Sequence, residues 1–286
     1  TKQRLNFHEQ SAQGGDATLG GLLAPFLQLL LVRFLNMRTP SYGLLVCVLI
    51  GSAPMSFAAE PPKAKDNEPA KPTSRTERKL EGWTIRVDDR LLKGADEALG
   101  NKALRFLENK LSDIKVVVPA DKVKKLQTVV IVLDLTHGNL GPMQYHPSEG
   151  WLKANGYATE LAKCVHLPRA ADVATKRNIN EQPWVILHEL SHAYHDQVLG
   201  FDEPRIKEAY EKFKKSGRGD MTLLYNGRKV KHYALTTPME FFAEMTEAYF
   251  GVNDFFPFNR EQLQKHDPPM FALLEKLWSL QTDTTT

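Results

Sequence analysis

Read for the alternation of apolar and polar side chains, residues 80–280 divide into a strand-bearing first part and a helical second part. Trp83-Thr-Ile-Arg-Val87 alternates with period two, the mark of a strand with one buried face. Leu99, Ala103, Phe106, Leu107, Leu111 and Ile114 recur at helical spacing, so residues 96–114 are expected as an amphipathic helix with its lysines and acids toward water. The run Val129-Val-Ile-Val-Leu133 is apolar and β-branched throughout and reads as a buried strand. Residues 137–157, heavy in Gly, Pro and aromatics, are expected as a surface loop, and residues 164–167 as a short edge strand. Pro183 near the start and Gly200 just past the end bound a helix over 183–199. Ile206, Ala209, Tyr210 and Phe213 mark a further amphipathic helix. Asn226-Gly227 is a type I′ hairpin signal, and helices over 238–250 and 269–280 complete the chain. Strands first and helices afterwards give the class α+β.

Composition narrows the picture. With 42% hydrophobic and 25% charged residues among 286, collagen, coiled coil and full-length disorder are excluded. Thirty-seven Lys and Arg against 34 Asp and Glu leave +3, evenly spread, so no nucleic-acid partner is expected and residues 218–232 read as a solvated basic face. Of the two cysteines, Cys47 lies in an N-terminal apolar stretch and only Cys164 belongs to the folded part, which excludes a disulfide scaffold and a cysteine-based zinc site. Residues 37–58 have the layout of a secretory signal peptide: Met37-Arg38, an apolar run over 43–51, and the small-x-small end Ser56-Phe57-Ala58. The expected product is secreted or periplasmic, without stable membrane insertion, and membrane-tethered where the signal stays uncleaved. Residues 1–36 are expected as an N-terminal extension, upstream read-through ahead of a start at Met37, with a two-helix membrane hairpin as the alternative. Residues 59–79, rich in Pro, Lys and Glu, are expected as a disordered linker and 281–286 as a disordered tail, leaving 80–280 as one domain.

The chemistry concentrates in two of the expected helices. His188-Glu189-Leu190-Ser191-His192 places two imidazoles at i and i+4, about 40° apart on the helix surface, so both reach one ion. Zinc takes such a pair, and Glu189, rotated off that face by one residue, suits the general base. His195 and Val198 stand where a metzincin needs Gly and His, so that class is excluded. His195 lies about 10 Å further along the axis, too far to share the ion, and is read as a residue at the rim of the site or behind it. In the second helix Glu240, Glu244 and Glu247 repeat on one face among Phe241, Phe242 and Met245. Acids on so apolar a helix are costly unless positive charge meets them. A zinc ion with Glu240 as third ligand would do so, with Glu244 accepting a hydrogen bond from a zinc-bound histidine.

The HELSH motif followed by Tyr233, six intervening residues, and Glu240-Phe-Phe-Ala-Glu244 resembles the zinc peptidase domain of the anthrax toxin lethal factor family, in the gluzincin group. The resemblance covers residues 183–250. It implies a zincin-like metallopeptidase domain, with a small mixed sheet over the active-site helix, a peptide laid along an edge strand, and a mainly helical lobe after it. It further implies one zinc per chain held by His188, His192 and Glu240, Glu189 as general base, Glu244 as outer acceptor and Tyr233 as transition-state stabiliser. No delivery or docking domain of the toxin is visible, so a toxin role is not implied. A phenol at Tyr233 could donate to the oxyanion formed at the peptide carbonyl, and the adjacent His232 is its rival. Residues 144–151 are either a substrate lip or a rigid surface loop. His137, His146 and His166 lack ligand spacing, so no second metal site is expected. The expected function is an exported zinc metallopeptidase acting on a peptide or protein. The alternatives are a non-proteolytic zinc amidohydrolase of the cell envelope and a non-catalytic zinc-binding module.

Overall fold

The structure is a computed structural model and describes residues 68–279. All of the described residues belong to one compact unit, residues 60–286. The expected extension, signal peptide and C-terminal tail lie outside the described residues.

The first part builds β1 (Arg75–Leu80), β2 (Trp83–Asp88), α1 (Glu97–Val117), α2 (Ala120–Leu126), β3 (Ile131–Leu133), β4 (Gln144–Tyr145), α3 (Glu149–Ala154) and β5 (Val165–Leu167). After α4 (Lys176–Asn180) come α5 (Val185–Tyr194), α6 (Pro204–Lys215), the hairpin strands β6 (Thr222–Leu223) and β7 (Lys229–Val230), α7 (Pro238–Phe250), α8 (Arg260–His266) and α9 (Pro268–Trp278). The class is α+β. Five strands form one mixed sheet in the order β1-β2-β3-β5-β4, with β2, β3 and β5 parallel and both outer strands antiparallel to their neighbours.

Period-two alternation decides the two faces of this sheet. Ile85, Val87, Ile131, Leu133, Val165 and Leu167 are fully buried against α1 and α5, each contributing about 1.5–3 kcal/mol relative to exposure. Arg86, Val132 and His166 point to the opposite face. The same core takes in Phe241, Phe242 and Met245 of α7, which packs on α5. That packing is close at one end. A Cβ on Gly251, just past α7, would lie 2.1 Å from the indole of Trp184, which caps α5, so only glycine allows this approach.

Five sequence expectations need correction. The linker does not run to Lys79: β1 pairs with β2 from Arg75 onward. Its side chains are largely exposed and polar, so its stability comes from backbone hydrogen bonds rather than apolar burial. Glu81 and Gly82, both at positive φ, make the two-residue turn that joins them. Residues 137–157 are not all loop, since they contain β4 and α3, and β4 rather than β5 forms the sheet edge. The β6–β7 hairpin exists, but Asn226 keeps a negative φ. A turn from Leu224 to Gly227, closed by the Gly227 N–H donating to the Leu224 carbonyl (2.9 Å), replaces the type I′ turn. Finally, the helix expected over 183–199 relaxes into a π-helical turn, His195–Leu199, before Gly200 ends it.

Candidate metal centre

On α5, His188 and His192 stand one turn apart with their rings edge to face, centroids 4.8 Å apart. On α7, Thr237 caps the first turn by accepting the Glu240 N–H (3.1 Å), and Pro238 presets its backbone. This start aims Glu240 across the seam. Its Oε2 lies 3.0 Å from His188 Nε2 and 3.3 Å from His192 Nε2, and the three ligating atoms fall within 4.8 Å of one another. They face a cavity of about 900 Å³, walled on the far side by Arg169, Asp172, Thr175 and Arg177 and on the sheet side by Gly141 to Tyr145.

Behind His188 the acceptor is Glu247, not Glu244. His188 Nδ1–H donates to Glu247 Oε1 at 2.7 Å, whereas Glu244 Oε1 is 3.8 Å away. The reason is the seam itself. Trp184 meets Gly251, His188 meets Glu247 and both histidines meet Glu240, so α5 and α7 run past each other in opposite directions a turn at a time. Glu244 falls between those steps, buried, and its Oε2 makes no hydrogen bond among the described residues, with His232 Nδ1 3.8 Å away.

The electrostatics show a site built for positive charge. Burial pulls the His188 imidazole down, yet its hydrogen bonds to Glu240 and Glu247 outweigh that and raise it well above its ordinary value. Burial pushes Glu240 up, but hydrogen bonds from His188 and His192 hold it far below the usual carboxylate range. Glu244 is pushed well up by burial and then by Glu247 beside it. Glu189 is buried next to the two histidines, and its Oε2 accepts the Tyr145 backbone N–H at 2.8 Å. Burial raises it, opposed by the charges of His188 and His192. Tyr145 is itself tied down, its hydroxyl donating to Asp196 in the π-helical turn (2.6 Å).

Of the two oxyanion candidates, Tyr233 lines the cavity, half exposed, and its phenol is raised by burial and by Glu240. His232 does not. Its Nδ1 accepts the Ala234 N–H (3.1 Å) and its ring stacks on Phe255 in the core. His195 is not at the rim either: it is fully buried between Phe201 and Phe242, and neither ring nitrogen has a partner among the described residues. The lip is made by Gln144 and Tyr145, while Trp151 stacks on Tyr157 away from the cavity.

A second cluster, which residue spacing gave no sign of, sits on the opposite face of the sheet. Asp134 Oδ2 accepts from His137 Nδ1 and His166 Nε2, each at 2.8 Å, and His166 Nδ1 accepts in turn from His146 Nε2 (3.2 Å). The ligating atoms of Asp134, His137 and His166 also lie within 4.8 Å of one another. Arg75 of β1 grips Asp134 with two parallel bonds, Nε to Oδ1 at 2.7 Å and Nη2 to Oδ2 at 2.9 Å. The available signal was the alternation around His166, which sets it on the face opposite Val165 and Leu167.

Buried His, Asp and Glu groups of this chain could therefore hold a metal ion. Among the described residues no helix is long and apolar enough to cross a membrane. Comparisons with protein-family models, with curated proteins and with solved structures give no match.

Proposed function

We propose that the chain is an exported zinc metallopeptidase of the gluzincin kind, with a zincin-like domain and one zinc held by His188, His192 and Glu240. The observation that carries this reading is the convergence of two Nε2 atoms and one carboxylate oxygen on an open cavity, with Glu189 beside them. Two imidazoles and a carboxylate match zinc, and a three-ligand set leaves a position for water. The raised His188 supports the fit, because a proton shared with Glu240 stands where a cation is called for. Glu247 fixes the His188 tautomer so that its Nε2 lone pair faces the ion. The signal-peptide layout of residues 37–58 supports export.

When bound, the ion supplies Lewis-acid polarisation of water and of the scissile carbonyl. Glu189 takes the proton from the attacking water and returns it to the leaving amine. Burial lifts its affinity for that proton, and the Tyr145 amide holds one oxygen so that the other is left for the transfer. Tyr233 donates its phenolic O–H to the carbonyl oxygen as that atom gains charge. The substrate is a peptide or protein.

The test is zinc content together with cleavage of a diverse peptide library, with and without chelator. The parent should bind one zinc and cleave, and Glu189→Gln should keep the metal and lose cleavage. Tyr233→Phe should lower kcat by about ten- to a thousandfold at unchanged zinc content. A parent that takes up no zinc on titration, or a Glu189→Gln variant as active as the parent, overturns the assignment.

A further inference from the structure

Residues 212–231 carry seven cations and one carboxylate, in a chain whose whole net charge is only +3. The fold gathers part of this excess onto one face of the β6–β7 hairpin. Leu223 is the direct cross-strand partner of Lys229, so the two side chains share a face, and strand alternation adds Met221 and Lys231 to it. All four are exposed, Met221 at 67% and Leu223 at 38%, and Tyr225 at the tip adds another apolar surface at 44%. The opposite face is seated: Thr222 is buried with its hydroxyl on the Phe256 carbonyl (3.0 Å), and His232 is buried on Phe255. Among the described residues no carboxylate pairs with Arg228, Lys229 or Lys231, whereas Arg218 nearby is paired with Asp267.

From this geometry we infer that the hairpin is a docking surface for an anionic lipid bilayer. Large side chains standing free among unpaired lysines are what an interfacial membrane contact needs. The apolar groups enter the acyl boundary, the lysine stems lie along it with their ammonium groups at the phosphates, and tyrosine settles at headgroup level. A protein partner fits less well on two counts. Protein interfaces are depleted in lysine, and a stable one covers roughly 800 Å² per partner, more than a projecting two-strand tip offers. Tyr233 follows Lys231 by two residues and lines the metal cavity, so docking sets the mouth of that cavity beside the membrane. The inference concerns attachment and holds whether or not the cavity hydrolyses peptides.

The unit of residues 60–286, which contains the whole described core, is mixed with phosphatidylcholine vesicles with and without phosphatidylglycerol, and the bound fraction is read by sedimentation. Binding should require phosphatidylglycerol and weaken with salt. Reversing the three charges together (R228E, K229E, K231E) should weaken binding about a hundredfold, and Met221→Ser with Leu223→Ser about tenfold, both at unchanged Tm. Equal binding to neutral and anionic vesicles, or a charge-reversed variant that binds like the parent, overturns the inference. Undiminished binding by the Met221→Ser, Leu223→Ser variant overturns it as well, since the surface is then a purely ionic contact for an acidic macromolecule.

Discussion

Two clusters in this fold share a formula, two imidazoles and a carboxylate with ligating atoms within 4.8 Å, yet they are electrostatic opposites. At the cavity, Glu240, Glu244, Glu247 and Glu189 surround His188 and His192, and among the described residues no lysine or arginine pairs with any of the four. Behind the sheet, Asp134 is fully buried and Arg75 already spans both its oxygens. The first cluster has an excess of carboxylate and an opening. The second is closed and carries its own cation in the form of a guanidinium. A ligand set is thus a poor guide to a metal site until the fixed charges around it are counted.

The strongest way to break this contrast is to remove the built-in cation. Arg75→Met should cost about 3–5 kcal/mol in urea denaturation, the penalty of leaving a buried carboxylate short of its counter-charge. Added zinc should restore part of that loss in the variant while leaving the rear cluster of the parent unaffected. A loss under about 1 kcal/mol would show that the guanidinium is not what satisfies Asp134.

Acid should come next in size. Burial, and then the charges of His166 and His137, hold His146 down to about 4, against an ordinary value of 6.5. Between those values the unfolded chain takes up a proton that the folded chain refuses, so stability falls as pH drops from 6.5 toward 4. This one group accounts for about 3 kcal/mol of that fall. In His146→Gln the slope of stability against pH over this range should lose one proton, and an unaltered slope would remove His146 from the account.

The smallest expected effect sharpens the front cluster. Glu247→Gln should weaken zinc affinity about 10- to 100-fold, with Glu244→Gln closer to the parent, because only Glu247 holds the His188 N–H. The reverse ranking, measured by competition with a chelator, would return the supporting role to Glu244.

How much of this could be read from the sequence depended on how local each feature is. His188, Glu189 and His192 were legible because helix periodicity converts spacing directly into geometry. Glu240 was legible because an acid on a helix as apolar as α7 demands a partner. Which acid backs His188 was not, since that turns on how α7 is rotated against α5, and no residue between 238 and 250 encodes it. The strand β1 escaped because its residues are polar and its stability lies in the backbone, although Glu81-Gly82 was a local turn signal. The rear cluster draws on β1, β3, β4, β5 and a loop, so only the sheet order brings Arg75, Asp134, His137, His146 and His166 together.

The contact between Gly251 and Trp184 would let the affinity of the proposed front centre be set from a distance. Gly251 lies about 16 Å along α7 from Glu240, on the seam that carries every proposed ligand. A methyl group there would wedge the two helices apart at the end far from the ligands and tilt Glu240 relative to the histidines. Because ligating atoms must be held to within about half an ångström, a small tilt is amplified into a change in metal preference with no ligand replaced. An evolving or engineered chain could therefore retune this centre from a position that never approaches the ion.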